Sequence, residues 1–418
     1  MQKIRGTRDI LPSEIQAWQK LYTKALKILT LYDYSEIRTP IIEPTELFLR
    51  GIGHTTDIVN KEMYSFVDQG KRNITLRPEG TASIARAFIT NKLYQSNQIQ
   101  RLWYMGPMFR YERPQSGRQR QFHQLGIECI GSASALADVE VIKIAHNILQ
   151  QLECKKYTIE INSIGNQEER EKYKEALVYY IKGYENDLDI DSKKRLDTNP
   201  LRILDSKNVR TQKILQNAPC LNKYLEKESR QHFELVCEYL NILEIPYRIN
   251  TRLVRGLDYY NYTAFEIIDN NLNNQTICGG GRYDHLIKQL GGPNTPAVGW
   301  AIGIERLLLL INQTNNFISK ENRFYIVTQG SKAQKKVWHL INLLEQHNIK
   351  FHIDLSNQSF QKQIKKANQC NMLSCLILGD AEIEENTITV KWLKEYYQET
   401  ILYNNIINYI HEKSKIIP

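Results

Sequence analysis

The chain has 418 residues, of which 42% are hydrophobic, and it carries 55 Lys and Arg against 46 Asp and Glu. This length predicts two or more domains, and the apolar content excludes a disordered chain. The net charge of +9 is typical of a protein that binds a polyanion, although an ordinary basic protein has it too. No apolar run approaches the roughly 18 residues of a membrane span, so no membrane association is expected.

The seven cysteines are scattered and include no Cys-x-x-Cys pair, so neither a disulfide framework nor a zinc site is predicted. Cys370 and Cys375, with His352 upstream, could be metal ligands, but buried free thiols are much commoner. No structural metal is therefore expected. The N-terminal residues "MQKIRGTRDILPSEI" lack the features of signal and transit peptides. We expect a cytoplasmic protein, or one in the stroma of a plastid or another organelle that encodes it.

The first predicted element is a long amphipathic helix, with Ser13 as a plausible N-cap and apolar residues at helical spacing from Ile15 to Leu29. A strand follows and is interrupted by Pro40, whose missing N–H confines it to a sheet edge or boundary. Between residues 61 and 128, short strand-like segments separated by loops favour an antiparallel sheet.

The composition changes after "INSIGNQEE", and residues from about 167 to 240 are charged and helix-favouring. A helical insertion is predicted there. Strand character then returns and leads to "AVGWAIGIERLLLLI", a strand that runs into an apolar helix. The last hundred or so residues alternate between strands and helices, with helices near 333–347 and 361–369, and predict a separate small α/β domain. The predicted domains are residues 1–320 and 321–418.

The stretch "FRYERPQSGRQRQFHQLGIE" holds four arginines within twenty residues, which predicts a site for a planar anion such as phosphate. The chain has no G-x-x-x-x-G-K-[ST] loop, so arginines must hold ATP if ATP binds. Arg110, Arg118 and Arg306 are the candidates, and Phe122 could stack on a base. A surface salt bridge is the alternative for any one of these arginines taken singly.

These segments resemble the class II aminoacyl-tRNA synthetases and, within that class, the histidyl-tRNA synthetases. The class signatures correspond to the helix-strand-proline element that ends at Pro40 (motif 1), to "FRYE" with "RQFHQ" (motif 2) and to "GWAIGIERL" (motif 3). Three further segments are typical of the histidine enzymes: "LRPEGT", "RLVRGLDYY" and "CGGGRYD".

The resemblance implies an α+β fold, with an antiparallel class II sheet flanked by helices, an insertion that reaches toward the tRNA acceptor stem and a C-terminal α/β anticodon-binding domain. It implies a histidine–tRNA ligase that forms histidyl-adenylate from L-histidine and ATP and then transfers histidine to the terminal adenosine of tRNA(His). Mg²⁺ is expected with the outgoing phosphates, and a homodimer is expected through motif 1.

The resemblance also implies roles for the arginines. Arg110 would hold the α-phosphate of ATP, Arg118 and Arg306 the outer phosphates, and Phe122 the adenine. Arg255 would sit on the other side of the α-phosphate and stabilise the charge of the transition state. Arg110 and Arg255 are therefore the candidate catalytic residues.

The histidine pocket implied by the resemblance pairs Glu79 and Tyr260 with the two edges of a neutral imidazole, which offers one donor and one acceptor. The alternatives are a helix-start carboxylate for Glu79 and a core or interface tyrosine for Tyr260. Further residues would bind the α-ammonium group (Thr81, Gln124 and Glu128) or line the pocket (Tyr259).

Two other polar groups in these motifs are predicted to be structural. His123 invites interpretation as a catalytic base, but strand alternation places it on the face opposite Phe122 and Gln124. Cys278 lies beside a glycine-rich segment, where a small packed thiol is the commoner case.

Two other classes of function stay open on the sequence alone. A synthetase-like regulatory subunit of ATP phosphoribosyltransferase would have eroded arginines and would lack the tail domain, whereas Arg110, Arg118, Arg255 and Arg306 are present and so is the tail. A basic RNA-binding module without catalysis would explain the charge but not the imidazole pocket.

Overall fold

The computed structural model describes residues 1–53, 56–96, 98–114, 117–270, 275–314, 324–395 and 397–416. The chain divides into two compact units, residues 1–317 and 318–418. The domain boundary predicted at residues 320–321 lies outside the described residues. Within the described ranges, no helix combines the length and the apolar character needed to cross a bilayer.

The helices of the first unit are α1 (Pro12–Leu31), α2 (Thr45–Ile52), α3 (Thr81–Thr90), α4 (Ala135–Gln151), α5 (Gln167–Lys182), α6 (Ile190–Thr198), α7 (Val209–Leu215), α8 (Lys227–Ile242), α9 (Leu286–Gln289) and α10 (Ile304–Thr314). Its strands are β1 (Ser35–Glu36), β2 (Ile42–Pro44), β3 (Tyr64–Val67), β4 (Asn73–Leu76), β5 (Gln100–Phe109), β6 (Gln121–Ile130), β7 (Tyr157–Ser163), β8 (Tyr247–Ile249), β9 (Asn261–Asp269), β10 (Thr276–Arg282) and β11 (Ala297–Gly303).

An eight-stranded sheet forms the centre of this unit, in the order β1-β5-β6-β11-β10-β9-β7-β8 over the described residues. The strands from β5 to β7 in this order pair antiparallel, and the two edge strands β1 and β8 pair in parallel with their neighbours. The predicted antiparallel sheet is thereby confirmed. A smaller sheet, ordered β2-β4-β3, lies on the segment that follows Pro40.

Helix α1 begins at Pro12, with Leu11 at the N-cap, so the prediction of Ser13 as the N-cap was wrong. Proline is favoured at the first helical position because the N–H it lacks would have no partner within the helix. The apolar stripe of α1 is buried in one core with α4 and the sheet, as the spacing predicted. Pro40 lies between β1 and β2 and belongs to neither strand.

The insertion predicted at about 167–240 contains α5, α6, α7 and most of α8, all between the parallel neighbours β7 and β8. A buried carboxylate, that of Glu169, connects the first helix of the insertion to α8. Glu169, in the first turn of α5, accepts hydrogen bonds from the backbone N–H of Asn166 (2.7 Å) and from the hydroxyl of Ser229 on α8 (2.6 Å). Helix α8 buries Val236 and Leu240 in the core that contains α1 and α4. Helix α5 buries Tyr173 and Leu177 in a second core, which also contains residues of the main sheet.

The second unit contains β12 (Phe324–Thr328), α11 (Ser331–Gln346), β13 (Phe351–Ile353), α12 (Phe360–Gln369), β14 (Ser374–Leu378), α13 (Asp380–Glu384), β15 (Thr387–Trp392), β16 (Tyr397–Leu402) and α14 (Ile406–Ile416). Its sheet has the order β13-β12-β14-β15-β16, with parallel pairs around β12 and antiparallel pairs from β14 to β16. The small α/β fold predicted here is confirmed, and the helices predicted near 333–347 and 361–369 are α11 and α12.

Candidate active site

A cavity of about 180 Å³ lies over the main sheet, where β6, β10 and β11 meet the loop from Arg255 to Tyr260. Every candidate site residue from the sequence lines it except Glu128, which is fully buried and bonded to Thr81 at its wall. Residues that lie far apart in the sequence are thus brought together at one place.

One side of the cavity carries a cluster of arginines around Glu112. Arg110 and Arg118 each lie within ion-pair distance of Glu112, at 3.9 and 3.4 Å. Arg306 is held by two backbone oxygens, those of Gly117 (3.2 Å) and Thr276 (2.8 Å). Burial and the charge of Arg118 lower the pKa of the Arg306 guanidinium. The three guanidiniums outnumber the neighbouring carboxylates Glu112 and Glu62 and leave an excess of positive charge for an anion.

The ring of Phe122 faces this cluster, with the guanidinium carbon of Arg110 5.3 Å from its centroid. His123, the next residue on β6, turns away, and its ring meets the edge of Trp18 at a centroid distance of 4.9 Å. Glu305 holds His123 by its backbone N–H (3.0 Å) and by Nδ1 (2.9 Å). The predicted opposite orientations of Phe122 and His123 are confirmed, and the ring of His123 packs against Trp18.

Arg255 enters the cavity from the opposite side and forms an ion pair with Glu266 on β9. The second oxygen of Glu266 accepts a hydrogen bond from the hydroxyl of Thr276 (2.9 Å), which fixes the carboxylate. The guanidinium lies directly over Gly279, where any side chain would collide with it. Among the described residues, Nε of Arg255 is buried without a hydrogen-bond partner, so the group retains a donor for a ligand.

The carboxylate of Glu128 occupies the floor beside the cavity. It accepts hydrogen bonds from the hydroxyl of Thr81 (2.7 Å) and from the hydroxyl of Tyr283. Burial raises the pKa of Glu128 to about 8, despite the two hydrogen bonds that oppose the shift. Gly299 on the neighbouring strand β11 leaves the space that this carboxylate fills. A buried acid of this kind gains stability when a cation enters beside it.

Glu79 is buried at the start of α3, and its two oxygens accept the backbone N–H groups of Thr81 (2.7 Å) and Ala82 (2.8 Å). Burial raises its pKa, although these bonds oppose the shift. The helix-start role weighed from the sequence is therefore real, and a carboxylate with about four acceptor sites still has capacity for a ligand.

The rest of the pocket wall is aromatic and polar. The rings of Tyr259 and Tyr260 lie 4.6 Å apart. Over the part of the chain that the structure covers, Oε1 of Gln124 is buried without a hydrogen-bond partner. An unpaired acceptor of this kind is costly unless a ligand donor satisfies it.

The comparisons with known proteins agree with this geometry. Residues 6–307 match the family described as histidyl-tRNA synthetase, and residues 323–413 match the anticodon binding domain. The chain belongs to the histidyl-tRNA synthetase family. It is 64% identical over 413 residues to the chloroplastic histidine–tRNA ligase of Gracilaria tenuistipitata var. liui, covering 99% of this chain and 98% of that protein.

Other relatives of the synthetase family extend the match. The histidine–tRNA ligase of Cyanothece sp. is 54% identical over 98% of this chain and 95% of its own length. The apo histidyl-tRNA synthetase structure from S. aureus superposes with a TM-score of 0.81 at 37% identity, covering 98% of this chain and 99% of that one. A Bacillus halodurans structure described as an ATP phosphoribosyltransferase regulatory subunit/histidyl-tRNA synthetase has a TM-score of 0.68 at 21% identity, a likeness of fold alone.

Membership of the histidyl-tRNA synthetase family makes the chain an aminoacyl-tRNA ligase that uses ATP, with histidine and tRNA as its other partners. The expected class II architecture with an anticodon-binding domain is confirmed. The regulatory-subunit alternative gains no support over the ligase, because the relatives above 50% identity are named ligases.

Several residues of this synthetase site were missed by the sequence reasoning. Tyr283 lies in the quoted "CGGGRYD" segment, and its bond to Glu128 could have been suspected from that motif. Glu266 carried no local signal, because its pairing with Arg255 depends on how β9 passes the loop. Glu112 and Glu305 lie inside motifs 2 and 3, and their partners, Arg110 and Arg118 for Glu112 and His123 for Glu305, depend on the fold rather than on a local pattern.

Proposed function

We propose that this chain is a histidine–tRNA ligase, with the residue roles set out below. The reaction joins histidine to ATP as an adenylate and then passes it to tRNA(His). The observation that carries the proposal is the meeting of Arg110, Arg118, Arg306 and Arg255 in one cavity beside the buried carboxylates Glu79 and Glu128. The arginines suit phosphates, and the carboxylates suit a cationic amino acid.

ATP would bind with its phosphates among the motif 2 and motif 3 arginines. Arg110 is assigned to the α-phosphate, and Arg118 and Arg306 to the outer phosphates. Phe122 would stack on the adenine, since it faces the cavity beside Arg110. The lowered pKa of Arg306 supports a phosphate site, because a bound phosphate would stabilise the charged form of the guanidinium.

Arg255 would lie across the α-phosphate from Arg110. The histidine carboxylate attacks the α-phosphorus, pyrophosphate leaves, and the extra negative charge of the transition state falls between the two guanidiniums. Donors already fixed in place need no reorganisation as the charge develops. Both attacking groups, the carboxylate and later a tRNA hydroxyl, belong to substrates, so positioning is the main task of the protein.

Histidine would bind with its imidazole between Glu79 and Tyr260, beside Tyr259. Its α-ammonium group would meet Glu128, Thr81 and Gln124. Thr81 donates its hydroxyl proton to Glu128, so the lone pairs on its oxygen are free to accept from the ammonium group. The unpaired Oε1 of Gln124 supplies another acceptor.

Mg²⁺ would arrive with ATP and bind the outgoing phosphates. The described residues hold no group of three or more His, Cys, Asp and Glu arranged for a metal ion. Mg²⁺ keeps several waters and is usually held by substrate phosphates with one or two carboxylates. Glu112, between Arg110 and Arg118, lies where such a carboxylate would be needed.

The second unit would read the anticodon and the insertion would face the acceptor stem, with domains at residues 1–320 and 321–418. A homodimer is proposed through motif 1. Its support is a group of exposed apolar side chains at and after Pro40, with 43% to 61% of each side chain accessible: Ile41, Ile42, Phe66 and Val67. These residues lie in or next to the three-stranded sheet β2-β4-β3, and exposed apolar groups are typical of a protein interface.

A plastid is proposed as the location, since relatives from Gracilaria tenuistipitata var. liui and Pyropia yezoensis, at 64% and 56% identity, are named chloroplastic. The alternative expected from the sequence is the cytoplasm.

The test of the function is amino-acid-dependent exchange of labelled pyrophosphate into ATP, run over the standard amino acids. Histidine alone should support exchange. Exchange with another amino acid, or none with a folded protein, would remove the proposal.

A further inference from the structure

A second cavity, of about 250 Å³, lies between the insertion and the loop that carries Arg255. It is larger than the cavity of about 180 Å³ assigned to histidine and ATP. Arg255 and Leu257 line both cavities, so the two share a wall at the proposed reaction centre.

The second cavity is lined by both charged and apolar residues. The basic lining residues are Arg170, Lys174, Arg202 and Arg255, and the acidic ones are Glu171 and Asp258. Two of these cations also have carboxylate partners outside the lining, Asp205 for Arg202 and Glu266 for Arg255. Apolar side chains cover much of the remaining surface: Ile164, Leu201, Leu221, Val254 and Leu257. Positive charge beside an apolar surface is the combination that holds a single-stranded nucleotide, the charge for its phosphate and the apolar surface for its base.

The insertion side of this cavity also supports the catalytic loop. Arg170, in α5, donates to the backbone oxygens of Tyr260 (2.5 Å) and Asp258 (3.4 Å). Asn199 donates to the carboxylate of Asp258 (3.2 Å). The cavity is therefore a fixed feature between two packed elements, and its shape is coupled to the loop that presents Arg255 and Tyr260.

We infer that this cavity holds the nucleotide that precedes the terminal adenosine of the tRNA, with its phosphate at Lys174. The inference rests on the proposed function. In the second step the hydroxyl of the terminal ribose must reach the histidine carbonyl, which lies near Arg255. The preceding nucleotide must then occupy space that adjoins Arg255 and is not taken by ATP or histidine, and the second cavity is such a space.

Lys174 suits a phosphate because its side chain is 39% exposed and, within the residues that the structure describes, it pairs with its helical neighbour Glu171 alone, at 3.1 Å. Lys172, on the same helix, is a matched control: it is 59% exposed, pairs with Glu226 at 2.8 Å and does not line the cavity. Thr198 lies exposed at the rim of the cavity. A Thr198→Trp substitution should fill the cavity without removing a buried side chain.

The experiment measures binding of two transcripts of tRNA(His), one lacking the terminal adenosine and one lacking the last two nucleotides. The wild-type protein should bind the first more tightly. Lys174→Ala should weaken binding of the transcript that lacks only the terminal adenosine by roughly fivefold. Binding of the shorter transcript should be almost unchanged. Lys174→Ala should also lower the slope of log Kd against log salt for the first transcript by about 0.7, the value for one phosphate contact on a single strand.

Thr198→Trp should abolish the wild-type preference for the longer transcript, and Lys172→Ala should keep it. Equal weakening of both transcripts by Lys174→Ala, or no weakening of either, would overturn the inference, as would a retained preference in Thr198→Trp. If wild-type protein supports no histidine-dependent pyrophosphate exchange, the proposed function fails instead, so the two failures are distinguishable.

Discussion

Glu266 forms an ion pair with Arg255 while its other oxygen is bonded to Thr276. A carboxylate fixed at both oxygens sets the direction of the guanidinium in the ligand-free protein. The side chains of Arg255 and Glu266 are 15% and 19% exposed, so water screens the pair only partly. Glu266 is thus a positioning residue for the proposed catalytic arginine.

Glu266→Gln should lower kcat for histidine-dependent exchange by roughly tenfold, with little change in the KM for ATP or histidine, because misplacing a catalytic donor affects the chemical step. Adding the change to Arg255→Ala should cost nothing more. Glu140→Gln is the control, since Glu140 pairs with Arg101 through both oxygens (2.9 and 3.0 Å) outside the cavity. Losses that add in the double variant would contradict the positioning role.

Arg255→Ala alone should slow adenylate formation by on the order of a hundred- to a thousandfold, as does the loss of one fixed donor to a developing anion. Histidine binding should be largely preserved. Single-turnover measurement of adenylate formation checks this. An unchanged rate with a raised KM for histidine would make Arg255 a binding residue.

Glu79→Gln should weaken histidine binding by about 2 kcal/mol, because an acceptor-only carboxylate becomes an amide with one acceptor oxygen. ATP affinity should scarcely change, since other residues are assigned to ATP. Paired titrations with histidine and ATP check this. Because Glu79 also accepts two N–H groups of α3, equal loss of both affinities would indicate damage to the helix start.

Histidine binding should release a proton from Glu128 at about pH 7.5, where the folded protein holds this acid largely protonated because burial raises its pKa to about 8. The incoming ammonium group favours the ionised form and so lowers that pKa. Most free imidazole is already neutral at this pH. Calorimetric titration in two buffers that differ in ionisation enthalpy counts the protons. Glu128→Gln should abolish this proton release. An unchanged number of released protons in the variant would contradict the assignment of Glu128 to the ammonium group.

The raised pKa of Glu128 also determines how its contribution to the free energy of unfolding changes with pH. Because the folded state binds the Glu128 proton more tightly than the unfolded state does, this group favours folding at low pH. That contribution should decline as the pH rises from the ordinary value of 4.5 through about 8.

Gly299→Ala should destabilise the protein by about 3 kcal/mol or more, because the added methyl group would overlap Glu128 and the backbone oxygen of Ile127. Gly303→Ala, at the end of the same strand, is the control, since nothing lies within 4 Å of its added carbon. Thermal melts of both variants check this. Similar melting temperatures for the two would show that Glu128 moves aside without cost.

Local patterns predicted the features that depend on neighbouring residues. Alternation along β6 placed Phe122 and His123 on opposite faces because the side-chain period of a strand is fixed. The start of α1 was predicted one residue or more too late, because both Pro12 and Ser13 are residues that favour the start of a helix. The Arg255–Glu266 pair could not be predicted, because it depends on the path of the loop over the sheet.

The position of α8 sets where the insertion can be cut away. Val236 and Leu240 of this helix cover the main sheet, so α8 serves as the crossover between β7 and β8 that a parallel pair of strands requires. A deletion that extends to the predicted boundary near residue 240 would remove α8. The apolar face of the sheet would then be exposed, and the protein would aggregate. A deletion that stops before Lys227 keeps α8 as the crossover and removes α5, α6 and α7. Glu169 would leave with α5, and Ser229 would then need a substitute partner or an apolar replacement.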